Sequence, residues 1–481
     1  MSPATVAASL VSHTNVGKTT LARTLLKRDI GAVRDEAHVT LEAERHTMVE
    51  SPAGDRLELW DTPGFGDSVR LAKRLEQAGN PIGWFLSEVW DRYRDRGFWS
   101  SQRALRNVQG EADVVLYLVN ASEAPADAAY LDPELKVLAL IGKPVLVLLN
   151  QLGPPRSAAE ERAERERWRE RTARAGGVHE VLALDAFARC WVQEGTLLDA
   201  IARVLAADKQ AAFARLRDAW QARGQHTFDR SMEVLAERVA HAALDREAIA
   251  DAGLMGKLKE IGAAIGLRRE GEETAREQAM RQLAERLDAD VRRSTDRLIE
   301  LHALDGRASQ VVLARLAEHY VEQAPLSQGK AAMFGGVVSG ALAGLKADLA
   351  SGGLSHGMGL LAGGLLGALG AAGLAKGYNF VRGVEVPTLA WTDAVLDELT
   401  AAALLGYLAV AHYGRGRGDW TAGEHPAFWS DVVHDALAAR RDAFSALWER
   451  RGDEAAFAEA ARKLLGETAS EVLAKLYPAP G

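Results

Sequence analysis

The chain has 481 residues, 48% of them hydrophobic, which is enough apolar material for the cores of two or three domains. Its 58 basic and 66 acidic residues give a formal net charge of −8, which argues against a protein dedicated to nucleic-acid binding. The single cysteine, Cys190, excludes an internal disulfide framework, and the N-terminus lacks the basic segment of a signal peptide. We therefore expect a cytoplasmic protein with no nucleic-acid partner.

The first predicted element is a strand, Thr5–Val11, which leads into a loop and then a helical segment. The loop, S-H-T-N-V-G-K-T-T, fits the phosphate-binding pattern G-x-x-x-x-G-K-[ST] except that Ser12 replaces the first glycine. Backbone N–H groups at a helix N-terminus and a lysine ammonium hold the β- and γ-phosphates of a nucleotide, and the hydroxyl after the lysine binds Mg²⁺. The predicted phosphate ligands are Asn15, Val16, Gly17, Lys18, Thr19 and Thr20, with Thr19 also on Mg²⁺.

A second nucleotide element, D-T-P-G, follows the predicted strand Arg56–Trp60. Asp61 would hold Mg²⁺ through water, and the Gly64 amide would meet the γ-phosphate. A threonine between the two elements should complete the Mg²⁺ ligands. We favour Thr40 for this part, with Thr47 as the alternative.

Three further strands are predicted, Val114–Val119, Val145–Leu149 and Val178–Leu184. The first two are continuously apolar, as strands covered on both faces are. Because strands and helical segments alternate, residues 1–205 predict an α/β P-loop domain with a mostly parallel, doubly wound sheet. The Glu- and Arg-rich segment Ser157–Arg174 predicts a solvated helix.

The base-recognition elements are incomplete. The fourth predicted strand ends in Asn150, followed by Gln151 and, two residues on, Gly153, where a guanine-reading carboxylate would usually stand. Asp185 and Ala186 follow the last strand; the Ala186 amide could contact the guanine carbonyl, and Asp185 could supply the missing carboxylate. The choice between guanine and adenine therefore stays open at the level of residues.

An aromatic insertion lies between D-T-P-G and the next strand, at residues 66–110. Tryptophan and arginine are enriched at interface hot spots, so the insertion could bind a partner or a second copy of the chain. The alternative is that its aromatic residues cover the sheet edge or contact the helical region of the same chain. These residues are Trp84, Phe85, Trp90, Tyr93, Phe98 and Trp99.

The composition changes after residue 205. Residues 206–330 predict amphipathic helices, and helical patterning returns in residues 379–481. Between them, residues 331–378 are rich in Gly, Ala and Leu, with small residues four apart, the spacing that lets helices associate closely in lipid. We interpret this segment as a helical hairpin, either a conditional membrane anchor or a tightly packed hairpin of a soluble domain. Its two zippers are Gly336, Gly340 and Gly344, and Gly359, Gly363 and Gly367.

T-N-V-G-K-T followed by D-T-P-G resembles the Era-like GTPases of the translation-factor-related class, and the whole chain resembles a bacterial family that joins such a domain to an uncharacterised helical region. The resemblance implies guanine nucleotides as ligands, Mg²⁺ as cofactor, and Lys18, Thr40 and Asn15 in catalysis. It also implies that Asn15 ligates a K⁺ ion that acts as an arginine finger does; the alternative is a capping residue of the loop. Phe65 stands where a water-orienting Gln is common, so hydrolysis should be slow without a cation, a second subunit or a partner.

Three functions follow from these observations. The favoured one is GTP hydrolysis to GDP, with the nucleotide state controlling a helical region that associates with the inner face of the cytoplasmic membrane through 331–378. The chain could also self-associate through its switch regions. The alternatives are a soluble Era-like switch in ribosome or RNA maturation, and a nucleotide binder with negligible turnover.

Overall fold

In a computed structural model the chain forms two compact units. The N-terminal unit comprises residues 1–226 and 411–426, and the helical unit comprises residues 227–410 and 427–481. The domain boundaries predicted after residues 205, 330 and 378 stay predictions. The structure describes residues 3–28, 30, 43–66, 68–75, 96–152, 158–184, 191–249, 275–304, 374–381, 384–413, 428–451 and 454–477.

A six-stranded sheet in the order β2-β3-β1-β4-β5-β6 forms the centre of the N-terminal unit. All neighbouring strands run parallel except β2 and β3, which are antiparallel. The sequence therefore predicted the fold class correctly, and the five predicted strands form within one residue of their expected ends. The strands are β1 Thr5–Ser12, β2 Glu44–Glu50, β3 Arg56–Asp61, β4 Val114–Asn120, β5 Val145–Asn150 and β6 Val178–Ala183.

Helices cover both faces of this sheet, which explains the continuously apolar strands. Alternate side chains of a strand point to opposite faces, so Leu116 and Leu118 of β4 enter one core while Tyr117 and Val119 enter the other. The helices are α1 Lys18–Leu26, α2 Ser68–Leu75, α3 Arg96–Gly110, α4 Leu131–Ile141, α5 Ala158–Thr172, α6 Trp191–Val204 and α7 Ala207–Leu244.

Two helices show where single aromatic side chains decide the packing. The charged segment predicted as a solvated helix is α5, yet its Trp168 is fully buried in the core. Of the aromatic insertion, Phe98 of α3 is fully buried in the same core, which favours the packing interpretation for that residue. The insertion's residues 76–95 lie outside the described residues.

The helical unit is largely α-helical, as predicted, but it also contains a small antiparallel sheet in the order β7-β9-β8. The expectation of helical patterning from residue 380 is therefore wrong for the β8–β9 hairpin. Its physical reason is the alternation of Val384, Val386 and Thr388, since β-branched residues favour strands. The elements after α7 are β7 Glu247–Ala248, α8 Ala275–Leu301, β8 Leu374–Val381, β9 Val384–Trp391, α9 Asp393–Ala411, α10 Phe428–Ala438, α11 Arg441–Glu449 and α12 Glu454–Leu476.

The glycine-rich segment 331–378 is described only at its end. Residues 331–373, which include both glycine zippers, lie outside the described residues, and 374–378 form the beginning of β8. Within the described residues, α9 is long and apolar enough to span a bilayer by length and composition alone. However, 78% of its apolar window is buried inside the protein, as in the core helix of a soluble domain.

Ion pairs fix the first part of α7 to the sheet of the N-terminal unit. The fully buried Asp55, in the turn between β2 and β3, accepts two hydrogen bonds from Arg215 of α7, at 2.7 and 2.9 Å. It also accepts a hydrogen bond from the Ser51 hydroxyl at 2.7 Å. Further along the sheet, Lys209 lies 2.6 Å from Asp113, which precedes β4.

The Asp55–Arg215 pair predicts a pH-dependent stability. Hydrogen bonds from Arg215 and then from Ser51 hold the pKa of Asp55 well below its ordinary value of 3.8. A carboxyl group with a lowered folded-state pKa stabilises the fold above its unfolded-state pKa, and this stabilisation is lost as the pH falls towards the folded-state pKa. We expect Asp55→Asn to lower Tm at pH 7, and the difference from wild type to shrink below about pH 4.

The matched control is Asp199→Asn, because Asp199 pairs with Arg217 at the half-exposed surface. Exposed pairs contribute little, so its Tm should follow that of wild type at every pH. Thermal unfolding between pH 7 and pH 3 makes the comparison. A wild-type advantage over Asp55→Asn that stays constant down to pH 3 would contradict the account.

Candidate nucleotide-binding site

The phosphate loop lies between the end of β1 and the start of α1. Asn15 and Gly17 have positive φ angles of 64° and 90°, and Lys18 is the first residue of α1. Alternation of left-handed and ordinary backbone turns successive N–H groups towards one concave side, which suits an anion. The loop thus adopts a phosphate-binding conformation through its own backbone.

Lys18 is buried, with only 7% of its surface exposed. Its ammonium donates a hydrogen bond to the Ser12 hydroxyl at 2.9 Å. Burial lowers the pKa of Lys18, and the nearby carboxylates of Asp61 and Glu134 act in the opposite direction. Ser12 belongs to the extended strand β1, where no glycine is required, so the departure from the sequence pattern supplies an acceptor for Lys18.

Two predicted Mg²⁺ ligands meet at the ends of neighbouring elements. The Thr19 hydroxyl donates a hydrogen bond to Asp61 Oδ2 at 2.6 Å, and Asp61 is 2% exposed. Burial raises the pKa of Asp61, while the Thr19 hydrogen bond and the Lys18 charge lower it. Its other oxygen, Oδ1, is buried without a hydrogen-bond partner among the described residues. A hard divalent cation with oxygen ligands satisfies such an atom, so these residues fit Mg²⁺.

The threonine predicted to join them, Thr40, lies outside the described residues. Its competitor Thr47 lies within β2, opposite Glu58, whereas Glu44 is the residue opposite Asp61. Three residues of strand separate Thr47 from that end, which is about 10 Å. The strand register therefore disfavours Thr47 as a metal ligand, and Thr40 stays a prediction.

Gly64 approaches Lys18 closely. A Cβ atom at position 64 would lie 3.1 Å from Lys18 Nζ and from Thr14 Cα, so a glycine allows the backbone to come this near the ammonium. The next amide, that of Phe65, donates to the Ser12 carbonyl at 2.8 Å. The Phe65 side chain is fully buried in the core, so it takes no part in orienting water.

Helix α3 fixes the same segment from the other side. The Ser100 hydroxyl donates to the Gly64 carbonyl at 2.7 Å, and the Gly66 amide donates to the Ser101 hydroxyl at 3.1 Å. A Cβ atom on Gly66 would lie 2.3 Å from the Cα of Gly97, so α3 packs directly against this backbone. These serines were not predicted, because nothing in the sequence pairs them with D-T-P-G.

The predicted base-recognition residues are only partly described. The Asn150 side chain donates to the Val16 carbonyl at 2.7 Å and lies against Gly17, so it supports the phosphate loop. Gln151 has a positive φ of 59° and also lies near Gly17. Gly153, Asp185 and Ala186 lie outside the described residues, and their parts stay predictions.

The sequence analysis missed a buried carboxylate beside the loop. Glu134 of α4 is 0% exposed and accepts hydrogen bonds from His13 Nδ1 and from the Tyr117 hydroxyl, both at 2.7 Å. Burial raises the pKa of Glu134, and the hydrogen bond from His13 is the main opposing influence. The only signal in the sequence is an acidic residue within the apolar stretch L-D-P-E-L-K-V-L-A-L-I.

The geometry of Gly17 gives a direct test of the loop. A Cβ atom there would lie 2.8 Å from Asn150 Nδ2, at a φ of 90° that L-residues disfavour. We expect Gly17→Ala to displace the loop and to weaken binding of a fluorescent GTP analogue by about tenfold or more, equivalent to about 1.4 kcal/mol or more.

Gly142→Ala is the matched control, because Gly142 has a φ of 75° but nothing within 4 Å of the added atom. It should cost stability of about 1–2 kcal/mol and leave nucleotide affinity unchanged. Equal affinities for the two variants would show that Gly17 is not under the steric constraint described.

Solved structures of nucleotide-binding proteins are similar to parts of this chain. Era in complex with MgGDPNP and a segment of 16S ribosomal RNA is 18% identical over 42% of this chain and 57% of its own, with a TM-score of 0.30. Era from Aquifex aeolicus bound to GDP·AlF4⁻ is 19% identical over the same shares, with a TM-score of 0.29. A member of a bacterial dynamin pair is 10% identical over 97% of this chain and 72% of its own, with a TM-score of 0.22.

The chain thus spans just over half the length of the Era proteins that it matches. No curated protein matches it. Two family models match: residues 7–151 match the one described as 50S ribosome-binding GTPase, and residues 169–468 match the one described as domain of unknown function DUF3482. The second match covers more than half of the chain. The protein therefore belongs to the DUF3482 family and carries an Era-like P-loop GTPase domain at its N-terminus.

Proposed function

We propose that the protein binds GTP with Mg²⁺, hydrolyses it to GDP, and uses its nucleotide state to control the helical unit. The observation that carries the proposal is the convergence of Lys18, Thr19, Asp61 and Gly64 at one end of the sheet. The buried ammonium, the hydroxyl–carboxylate pair and the close glycine backbone match the three needs of a bound triphosphate: charge neutralisation, metal ligation and recognition of the γ-phosphate.

In the proposed mechanism the loop amides and Lys18 hold the β- and γ-phosphates, and water attacks the γ-phosphorus in line with the departing GDP oxygen. Thr19, Asp61 and Thr40 would hold Mg²⁺, which when bound neutralises charge on the β- and γ-phosphate oxygens. Lys18 is preorganised for its part, because Ser12 and burial fix its position.

The intrinsic rate should be slow. The Phe65 side chain is buried, so this position provides no side chain to orient the attacking water. Asn15 is exposed at a positive φ in the loop, where its side chain is accessible to a K⁺ ion. We propose that Asn15 ligates K⁺ and that the ion stabilises transition-state charge; the alternative part for Asn15 is to cap the loop.

Coupling to the helical unit would run through β2, β3 and α7. Strand β2 begins opposite Asp61, at the metal end of the sheet. Arg223 of α7 donates to the Met48 carbonyl of β2 at 3.3 Å, and Arg215 holds the turn between β2 and β3 through Asp55. Helix α7 continues without a break beyond residue 226, where the helical unit begins. A shift of β2 with nucleotide state would therefore act on a helix that both units share.

The output of this switch has two candidates. A lipid partner bound through 331–378, at the inner face of the cytoplasmic membrane, follows from the glycine zippers, and sedimentation with liposomes that depends on the nucleotide would favour it. Action on the ribosome is favoured by the match of residues 7–151 to a 50S ribosome-binding GTPase model, although the net charge of −8 gives no general attraction to RNA. Self-association through the switch regions stays a proposal for either output.

Phosphate release from GTP tests the activity. We expect slow release by the wild type that is faster in K⁺ than in Na⁺, and loss of release in Lys18→Ala. Since charge-assisted hydrogen bonds contribute about 1.5–3 kcal/mol each, this variant should bind GTP roughly 10²-fold more weakly.

Lys463→Ala, on the exposed face of α12, removes the same charge from the helical unit and should behave as wild type. Equal wild-type rates in Na⁺ and K⁺ would remove the K⁺ part of the proposal. GTP binding without any phosphate release in K⁺ would leave a nucleotide binder with negligible turnover.

A further inference from the structure

Glu134 is a buried acidic residue with no part in the mechanism above. It lies in the first turn of α4, and its side chain is 0% exposed among the apolar residues that pack under the sheet. Its two oxygens accept hydrogen bonds from His13 and from Tyr117, each at 2.7 Å, and from the Ser68 hydroxyl. A buried carboxylate is stable only when its lone pairs are used, and these three donors use them.

Two of the three donors belong to nucleotide-binding elements. His13 is the second residue of the phosphate loop, and Ser68 is the first residue of α2, just after D-T-P-G-F-G. Tyr117 comes from β4, which is part of the sheet. One carboxylate therefore joins the phosphate loop and the segment after Gly64 to the same fixed helix.

The His13 ring has little freedom to move away from Glu134. It stacks on Tyr130, with ring centroids 4.7 Å apart and planes 15° apart. The backbone of His13 also forms a parallel bridge with Phe65, whose amide donates to the Ser12 carbonyl. The loop and the residue after Gly64 are thus already side by side, and Glu134 ties both ends of this contact.

Gly64 lies between these fixed points. Its carbonyl is held by Ser100, and its Cα faces Lys18 closely enough that a Cβ atom would be 3.1 Å from the ammonium. Whatever fixes Ser68 and His13 therefore limits where the Gly64 amide stands relative to the γ-phosphate site. Releasing Ser68 leaves the segment from Gly64 to α2 held at one end only.

We propose that Glu134 is a positioning residue of the GTPase site: by binding His13 and Ser68 together, it holds Gly64 where its amide recognises the γ-phosphate. The inference rests on the proposed function. It assigns Glu134 no contact with the nucleotide, and its effect is on discrimination between GTP and GDP. A purely structural carboxylate would instead affect both nucleotides equally.

The test measures the affinities of the full chain for a non-hydrolysable GTP analogue and for GDP, both with Mg²⁺. Glu134→Gln places an amide donor against three donors, and Ser68→Ala removes the α2 contact alone while leaving the buried carboxylate paired with His13 and Tyr117. We expect both variants to bind the GTP analogue about five- to tenfold more weakly and to keep GDP affinity within about twofold of wild type.

Asp132→Asn is the matched control. Asp132 lies in the same turn of α4, but its carboxylate is largely exposed and pairs with Arg171 on α5. The same chemical change there should leave the ratio of the two affinities unchanged.

The outcomes separate this inference from the proposed function. If Glu134→Gln fails to fold, Ser68→Ala decides, since it buries no unpaired charge. An unchanged ratio in Ser68→Ala, or equal losses for GTP and GDP in both variants, overturns the positioning role while wild-type GTP binding stands. A wild type that binds neither nucleotide overturns the proposed function and this inference together.

Discussion

The buried ammonium of Lys18 is the group on which the rest of the site depends. A lysine that is 7% exposed requires nearby acceptors and negative charge, because burial disfavours its charged form. Ser12 supplies the acceptor at 2.9 Å, and Asp61 and Glu134 supply the charge. Each of these residues stands on a different element, so β1, β3, α1 and α4 must come together before the ammonium is stable. A bound triphosphate would add the strongest compensation of all.

The same requirement explains why the neighbouring backbone is so closely held. Gly64 can lie near the ammonium only without a side chain, and its segment is fixed by the Ser12 carbonyl, by Ser100 and by Ser101. Fixed dipoles placed before the ligand arrives are more effective than groups that must reorganise. A site of this kind binds phosphate through geometry that the fold already provides, while hydrolysis depends on the groups that orient water.

The sequence predicted what rests on local pattern. The apolar runs identified five strands because period and covering show in composition, and G-K-T-T with D-T-P-G identified the loop because backbone demands fix those residues. Long-range pairings could not be predicted: Glu134 meets His13 across 121 residues and Asp55 meets Arg215 across 160, with no pattern linking them. The β8–β9 hairpin was missed because strands with charged and glycine residues resemble the helical sequences around them. The predictions for Thr40, Asp185, Ala186 and the glycine zippers concern residues outside the described ones.

Titration calorimetry of the purified full chain measures the central claim most directly. The account predicts that a non-hydrolysable GTP analogue binds in the presence of Mg²⁺, that chelation of Mg²⁺ weakens this binding, and that the matching ATP analogue binds more weakly. The absence of binding by either purine triphosphate with Mg²⁺ present would contradict the assignment of Lys18, Thr19 and Asp61 to a nucleotide site.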